Sequence, residues 1–382
     1  MIEALQNLIE PRHRKNIDWI LILCVVLIMC ASLATIYSAF AGHFGPASGM
    51  KQMVKQGFFY VSGLVLMLYI STRDYRSFPR NANVLYGVNI ALLLLIRVIG
   101  QEKKGAARWI SIGDFQFQPS ELAKIITILT LAAFLVHVGS RIKELPVFLQ
   151  SLAHVGIPMF LIKIQPDLGT ALVLGAIWLG MVFLAGADWK HLLAVLLAGM
   201  LLLGVGWKTG KGLDKFQQDR INVLFMSRKN MSKAQRDLAY QADQGIAAVG
   251  GGQVTGQGFR QGLQTSAGFV PENWTDFAFS AFAEEQGFVG SVALIALYLL
   301  VIARGLLCIA ESEDLLGRLI VGGVVSYLGF HVFVNVAMNC SLAPVVGIPL
   351  PLFSYGGTAA WINCTALGIL LSVRMRRRKL QF

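Results

Sequence analysis

The sequence predicts an all-α integral membrane protein with about ten transmembrane helices, a large extracytoplasmic loop between spans 7 and 8, and a polar cavity opening outward. Three observations predict it. Hydrophobic residues make up 55% of the 382 positions and charged residues only 14%, whereas a soluble chain carries about a quarter charged. The mean hydropathy is +0.61. Spanning helices of roughly 20 apolar residues each then account for about half the chain.

The spans fall at 17–38, 53–70, 83–100, 121–138, 150–164, 168–186, 191–207, 284–304, 317–338 and 356–373. The chain reads as one polytopic membrane domain, with a cytoplasmic N-tail at 1–16 and a basic cytoplasmic C-tail at 374–382. Arg12, Arg14 and Lys15 precede the first span and hold the N-terminus in the cytoplasm. That span is too long for a signal peptide and lacks a small-residue cleavage site, so it is read as uncleaved. Alternation then places Arg73, Arg76, Arg80, Arg141, Lys143, Lys190, Arg304 and Arg318 inside, with Arg374, Arg376, Arg377, Arg378 and Lys379 in the tail. Both termini are therefore cytoplasmic, and the location is the cytoplasmic membrane. Lys103, Lys104 and Arg108 fall outside against the rule, as charges kept for function would.

The net charge is +12. Its scatter over membrane-flanking loops and one tail fits anionic lipid head groups rather than nucleic acid. The five cysteines form no CxxC pair, so neither a disulfide framework nor a cysteine metal site is expected.

The loop at 208–283 is too long for a connector. Lys215 to Ala242 reads as one or two amphipathic helices, either in the membrane interface or solvated. The glycine run from Gly245 to Gly258 reads as tight turns, and it lacks the phosphate-loop spacing. The loop ends at Pro271, Glu272, Asn273, Trp274, Thr275 and Asp276, where polar chain returns to the membrane face. A carboxylate held at that boundary is partly desolvated and tunable as a base.

Ionisable groups within spans are costly and default to function. Glu121 and Lys124 share a helix face. Ser120 as an N-cap and the helix dipole account for Glu121. Lys124, one turn deeper, needs water or a partner charge. Asp167 either caps the sixth span or turns inward to Lys124 or Lys163. Arg97 snorkels to the membrane surface, and His331 reads as a helix–helix contact. Glu284 and Glu285 either start a helix or assist Asp276. The segment from Pro344 to Thr358, broken by prolines and glycines, reads as a re-entrant wall of the same cavity.

Taken together, these segments resemble the SEDS family (shape, elongation, division and sporulation), which includes RodA and FtsW. The resemblance rests on Gly105, Arg108 and Trp109; on Gln118, Pro119, Ser120, Glu121 and Lys124; and on Gln165, Pro166, Asp167, Gly169 and Thr170. It continues through Asp219 and Arg220, the glycine run, Pro271 and Glu272 with Thr275, Asp276 and Phe277, and Pro349 and Pro351 with Ser354, Tyr355, Gly356 and Gly357. The short N-terminal tail leans toward RodA over FtsW. Val346, Ser341 and Trp274 depart from the family pattern.

The resemblance implies a peptidoglycan glycosyltransferase that polymerises lipid II at the outer membrane face for cell elongation and rod shape. It implies a class B penicillin-binding protein as partner, with MreC and MreD as further neighbours. It makes Asp276 the essential aspartate and places Glu121, Lys124, Asp167, Arg108, Arg220, Glu284 and Ser354 around the substrate. The expected chemistry is removal of a proton from the attacking sugar hydroxyl by Asp276, with inversion at the anomeric carbon. Lys124, Arg220 or a divalent cation such as Mg²⁺ or Mn²⁺ would meet the departing pyrophosphate, although no ligand cluster specifies a metal site. A lipid II flippase, a division-specific FtsW-like homologue and a scaffold for the transpeptidase are the alternatives. A flippase needs access from both faces and no acid–base residue, whereas these groups gather at one face.

Overall fold

The computed structural model describes residues 16–103, 106–112, 115–210, 215–226 and 231–376. The readings on Arg12, Arg14, Lys15, Lys104, Gly105, Arg228, Lys229, Arg377, Arg378 and Lys379 lie outside these residues.

Every expected span is a helix. In chain order they are α1 (Trp19–Phe44), α2 (Pro46–Thr72), α3 (Ala82–Ile99), α4 (Pro119–Val138), α5 (Leu145–Ile164), α6 (Leu168–Leu184) and α7 (Trp189–Thr209). The long loop follows, with α8 (Lys215–Phe225), α9 (Lys233–Gly251) and the single turn α10 (Leu263–Ser266). The chain then re-enters the bundle through α11 (Ala278–Glu311), α12 (Leu315–Asn339) and α13 (Gly357–Met375). Among the described residues nine helices are long and apolar enough to cross a membrane, and α6 is a shorter apolar one. The protein is a multi-span membrane protein. Helices α4, α12 and α13 form its centre, and α7 is the most peripheral.

Local chemistry sets the helix ends. Asp18 caps α1 by accepting the Leu21 N–H at 3.2 Å. Gly45, at φ 89°, turns the chain directly into α2, whose first residue is Pro46. Proline suits that position because its missing N–H would have had no helical partner. At the bundle end where α1 begins, buried Asp18 meets Arg304 at 2.8 Å and Arg374 at 2.5 Å, joining α1, α11 and α13.

Three features differ from the sequence reading. A small antiparallel sheet lies between α3 and α4, in the order β1 (Gln101–Lys103), β2 (Ala106–Ile112) and β3 (Phe115–Phe117). Strands this short carry too few alternations for hydropathy to register. The first half of the glycine run is not a set of turns but the end of α9. There glycines permit close packing: a Cβ on Gly245 would stand 2.7 Å from the Phe277 ring, and one on Gly252 would stand 2.0 Å from the Ala283 carbonyl.

The second half of the run does turn, and it fills a break in α11. Gly287 leaves helical geometry at φ 65°. Its neighbours' freed backbone groups pair with the glycine turn, Phe288 N–H with Gln253 O at 2.8 Å and Gln257 N–H with Glu284 O at 3.0 Å. A short helical segment precedes this break, so α11 begins at Ala278, before the expected 284.

Candidate active site

Two non-helical segments meet at the mouth of the bundle, the turn at 271–277 and the wall at 344–356. Backbone without helical hydrogen bonds survives at membrane depth only when side chains satisfy it. Here side chains donate to a run of the wall's carbonyls. His331 Nδ1 reaches Pro349 O at 3.0 Å, Tyr298 reaches Pro351 O at 2.6 Å and Tyr60 reaches Leu352 O at 2.8 Å. The Ser32 hydroxyl serves Phe353 O.

Ser354, a predicted site residue, ties the wall to the turn. Its hydroxyl donates to Thr275 O at 2.6 Å and accepts the Leu350 N–H at 2.9 Å. Tyr355 N–H continues the ladder to Trp274 O at 2.8 Å.

Asp276 is half-buried at the end of this ladder. Its main-chain carbonyl accepts from Asn335 at 3.1 Å and from Asn339 at 3.0 Å. Asn335 also donates to Ile348 O at 2.8 Å. Asn339 accepts both the Ser280 N–H at 3.1 Å and the Ser280 hydroxyl at 2.6 Å. Both asparagines are fully buried on α12. The sequence reading missed them, although two carboxamides four residues apart in an apolar run share one helix face and carry the usual cost of polar groups in a membrane.

The Asp276 side chain faces Gly347. A Cβ at Gly347 would lie 3.5 Å from Asp276 Oδ2, and 3.8 and 3.9 Å from the Arg220 Nη1 and Nη2 atoms. Gly347 has φ +72°, which glycine adopts without penalty. Carboxylate and guanidinium thus approach the same piece of backbone. Burial lowers the Arg220 pKa; the charge of Asp276 opposes this most, Arg108 adds to the lowering, and Asp167 opposes it further. The structure therefore gathers Asp276, Arg220, Arg108 and Asp167, four of the predicted site residues, into one electrostatic group.

Arg108 stands on β2 and donates Nε to Gln165 O at 2.9 Å, with Nη2 on the Pro166 carbonyl. Asp167 takes the capping alternative. It accepts the Thr170 N–H at 3.2 Å and the Thr170 hydroxyl at 3.0 Å, with Gln118 and Ser120 beside it at 3.3 and 3.4 Å. It does not turn to Lys124, whose partner is Glu121 at 2.7 Å. Lys124 is fully buried. Its ammonium also lies 3.3 Å from His331 Nε2 and 4.9 Å over the Tyr327 ring. Because Nδ1 of His331 donates to a carbonyl, Nε2 is the acceptor of the lysine proton. His331 is thus more than a helix contact. A cavity of about 10 Å³ lies beside it, lined by Glu121, Tyr327, His331, Ser354 and Asn363 among others, room for about one water.

Glu284 is used differently from the expectation that it borders the substrate. Its carboxylate accepts the Gln264 N–H at 2.6 Å and the Thr265 N–H at 2.9 Å, fastening α10 to α11. Glu285 likewise accepts the Arg260 N–H at 3.1 Å and the Ser38 hydroxyl. Among the described residues no group of three or more His, Cys, Asp or Glu is placed to hold a metal ion.

This arrangement has clear relatives. The model of the cell cycle protein family of FtsW, RodA and SpoVE matches residues 16–379. The chain is 32% identical over 374 residues to the peptidoglycan glycosyltransferase MrdB of Escherichia coli (strain K12), covering 96% of each. A chain from a peptidoglycan synthase complex, solved to describe the structural coordination of polymerization and crosslinking, superposes with a TM-score of 0.78. It is 31% identical, and the match covers 94% of this chain and 97% of that one. The rod shape determining protein RodA of Thermus thermophilus superposes with a TM-score of 0.69 at 30% identity, over 95% of this chain and 98% of that one.

Proposed function

Because the chain belongs to the FtsW, RodA and SpoVE family of cell cycle proteins, we propose that it polymerises lipid II into glycan strands with Asp276 as the general base. It is a peptidoglycan glycosyltransferase, as its likeness to MrdB supports. The reading places it in the cytoplasmic membrane with both termini in the cytoplasm and Asp276 at the outer face. Its role is in cell elongation and rod shape.

The observation that carries the mechanism is the approach of Asp276 and Arg220 to Gly347 from two different segments. Glycosyl transfer has two needs at one place. The attacking 4-hydroxyl must lose a proton as its oxygen bonds to the anomeric carbon of the donor sugar. The bond from that carbon to the lipid pyrophosphate must break, with the electron pair leaving on phosphate oxygen. Asp276 takes the proton. Arg220 meets the new negative charge with a fork of donors matched to phosphate oxygens. Arg108 adds positive charge nearby. Lys124 is already matched by Glu121.

The resting arrangement also couples the two roles. While Arg220 faces Asp276 it favours the ionised carboxylate and weakens it as a base. When the pyrophosphate draws Arg220 to itself, Asp276 becomes more basic with the donor in place.

A class B penicillin-binding protein is the proposed transpeptidase partner, with MreC and MreD as further neighbours. The fold match to a chain of a peptidoglycan synthase complex supports the first. The test is purified protein given lipid II, with and without a co-purified penicillin-binding protein. Glycan strands resolved on a gel support the reading. Lipid II flipping in liposomes without any strand formation would replace it with a transporter.

A further inference from the structure

The turn that presents Asp276 also builds an aromatic platform which the chemistry above leaves unused. Trp274 stacks on Phe40 of α1, with ring centroids 4.7 Å apart and 26° between planes. Phe44 and His43 close on the same indole, each at 5.7 Å. Tyr355 meets Phe40 edge-on at 5.4 Å, and its hydroxyl donates to Gln52 at 2.7 Å.

The ring that supports this group is buried and its rim is open. Phe40 is 7% exposed, Phe44 is 57% exposed, and His43 is exposed while Trp274 is half-buried. Among the described residues no acceptor takes the Trp274 Nε1–H. The platform is also registered to the reacting group. Tyr355 holds the Trp274 carbonyl, Ser354 holds that of Thr275, and the two asparagines hold that of Asp276.

We propose that this platform is a carbohydrate subsite. It would hold one ring of the glycan strand, the unit next to the ring reacting at Asp276. A pyranose has an apolar face of axial C–H bonds and a rim of hydroxyls. A supported indole offers the matching apolar plane, and its unpaired N–H together with the His43 imidazole offers polar groups at the edge. Pockets for such ligands combine aromatic walls with a few placed polar groups. Trp274 is two residues from Asp276, so their α-carbons lie at most about 7 Å apart. An aromatic that merely anchors a protein at the membrane surface has no need of that registration. The subsite rests on glycosyl transfer at Asp276, and it makes the enzyme retain its product strand between additions.

The experiment measures binding of a lipid-free tetrasaccharide of alternating N-acetylglucosamine and N-acetylmuramic acid to the full-length protein in detergent. Asp276→Asn serves as the background, so binding is read without turnover. The subsite predicts that Trp274→Ala weakens binding by about ten-fold, near the upper range for one aromatic contact, while Trp274→Phe retains most of it. The same Trp274→Ala change, made with Asp276 intact, is expected to shorten the strands made from lipid II. Should Trp274→Ala not fold, judged by thermal unfolding, Phe44→Ala and His43→Ala probe the same surface with the same expectation of weaker binding. Tetrasaccharide affinity unchanged in Trp274→Ala, or in both rim variants, overturns the subsite. Tetrasaccharide binding that depends on Trp274, together with no strand formation by the protein with Asp276 intact, would instead overturn the catalytic reading and leave the subsite standing.

Discussion

Asn339 donates its carboxamide to the main-chain carbonyl of Asp276 at 3.0 Å, and Asn335, one turn earlier on α12, reaches the same oxygen at 3.1 Å. A transmembrane helix therefore helps to set the position of the proposed base, beside the bonds of its own turn. Because Asn335 also holds Ile348 O, next to Gly347, one helix keeps both segments of the site in register.

The two donors back each other up. Asn335→Ala or Asn339→Ala alone leaves one donor on the carbonyl, and each is expected to lower lipid II polymerisation several-fold. The double variant strands a buried carbonyl, which costs about 1–3 kcal/mol. Its loss of activity should exceed the product of the single effects. Polymerisation rates in a double-mutant cycle measure this coupling, and simple multiplicativity would argue against a shared grip on Asp276.

The Glu121–Lys124 pair makes a separate prediction about stability. Lys124 is fully enclosed, and its removal as Lys124→Met leaves Glu121 buried without its cation. Breaking a buried pair in this way costs about 3–5 kcal/mol. Adding Glu121→Gln should recover part of the loss, because the second charge is then gone as well. Thermal unfolding in detergent reads both changes. A double variant less stable than Lys124→Met would contradict the pairing.

Arg220 makes a prediction in pH. A carboxylate that loses a neighbouring cation holds its proton more tightly. In Arg220→Met the acid limb of the pH–rate profile should therefore move to higher pH, along with a drop in maximal rate from the lost phosphate contact. The profile of lipid II polymerisation between pH 4 and 9 measures it. A rate that falls without any movement of the limb would mean that Arg220 acts on the leaving group alone.

Much of this architecture can be read from the chain because bilayer thickness dictates a length and composition that stand out. All ten runs became helices for that reason. Asp276 and Asp167 are legible as carboxylates at the membrane rim and Arg108 as an exception to the charge rule, whereas Arg220 enters only through the family resemblance. What escaped depends on neighbours distant in sequence. Asp167 is a cap rather than a partner of Lys124 because Thr170 and Gln118 lie within its reach, and Lys124 had a nearer carboxylate one turn away. Gly245 and Gly252 looked like turn residues because glycine serves both turns and close packing, and only the positions of Phe277 and Ala283 decide between them. Glu284 fastens α10 because that loop folds back onto α11. Asn335 and Asn339 drew no notice because their acceptor is a backbone carbonyl 59 and 63 residues away.

The central claim is that Asp276 removes a proton during glycosidic bond formation. Asp276→Asn keeps the shape of the side chain, the carbonyl held by the two asparagines and the contact with Gly347, and removes the negative charge and with it the basicity. The measurement is the rate of glycan strand formation from lipid II by purified Asp276→Asn, with thermal unfolding recorded alongside to confirm an intact fold. The account predicts a loss of about 10²–10⁴-fold, the range for a general base, in a protein that unfolds at the wild-type temperature. Strand formation at the wild-type rate would contradict it.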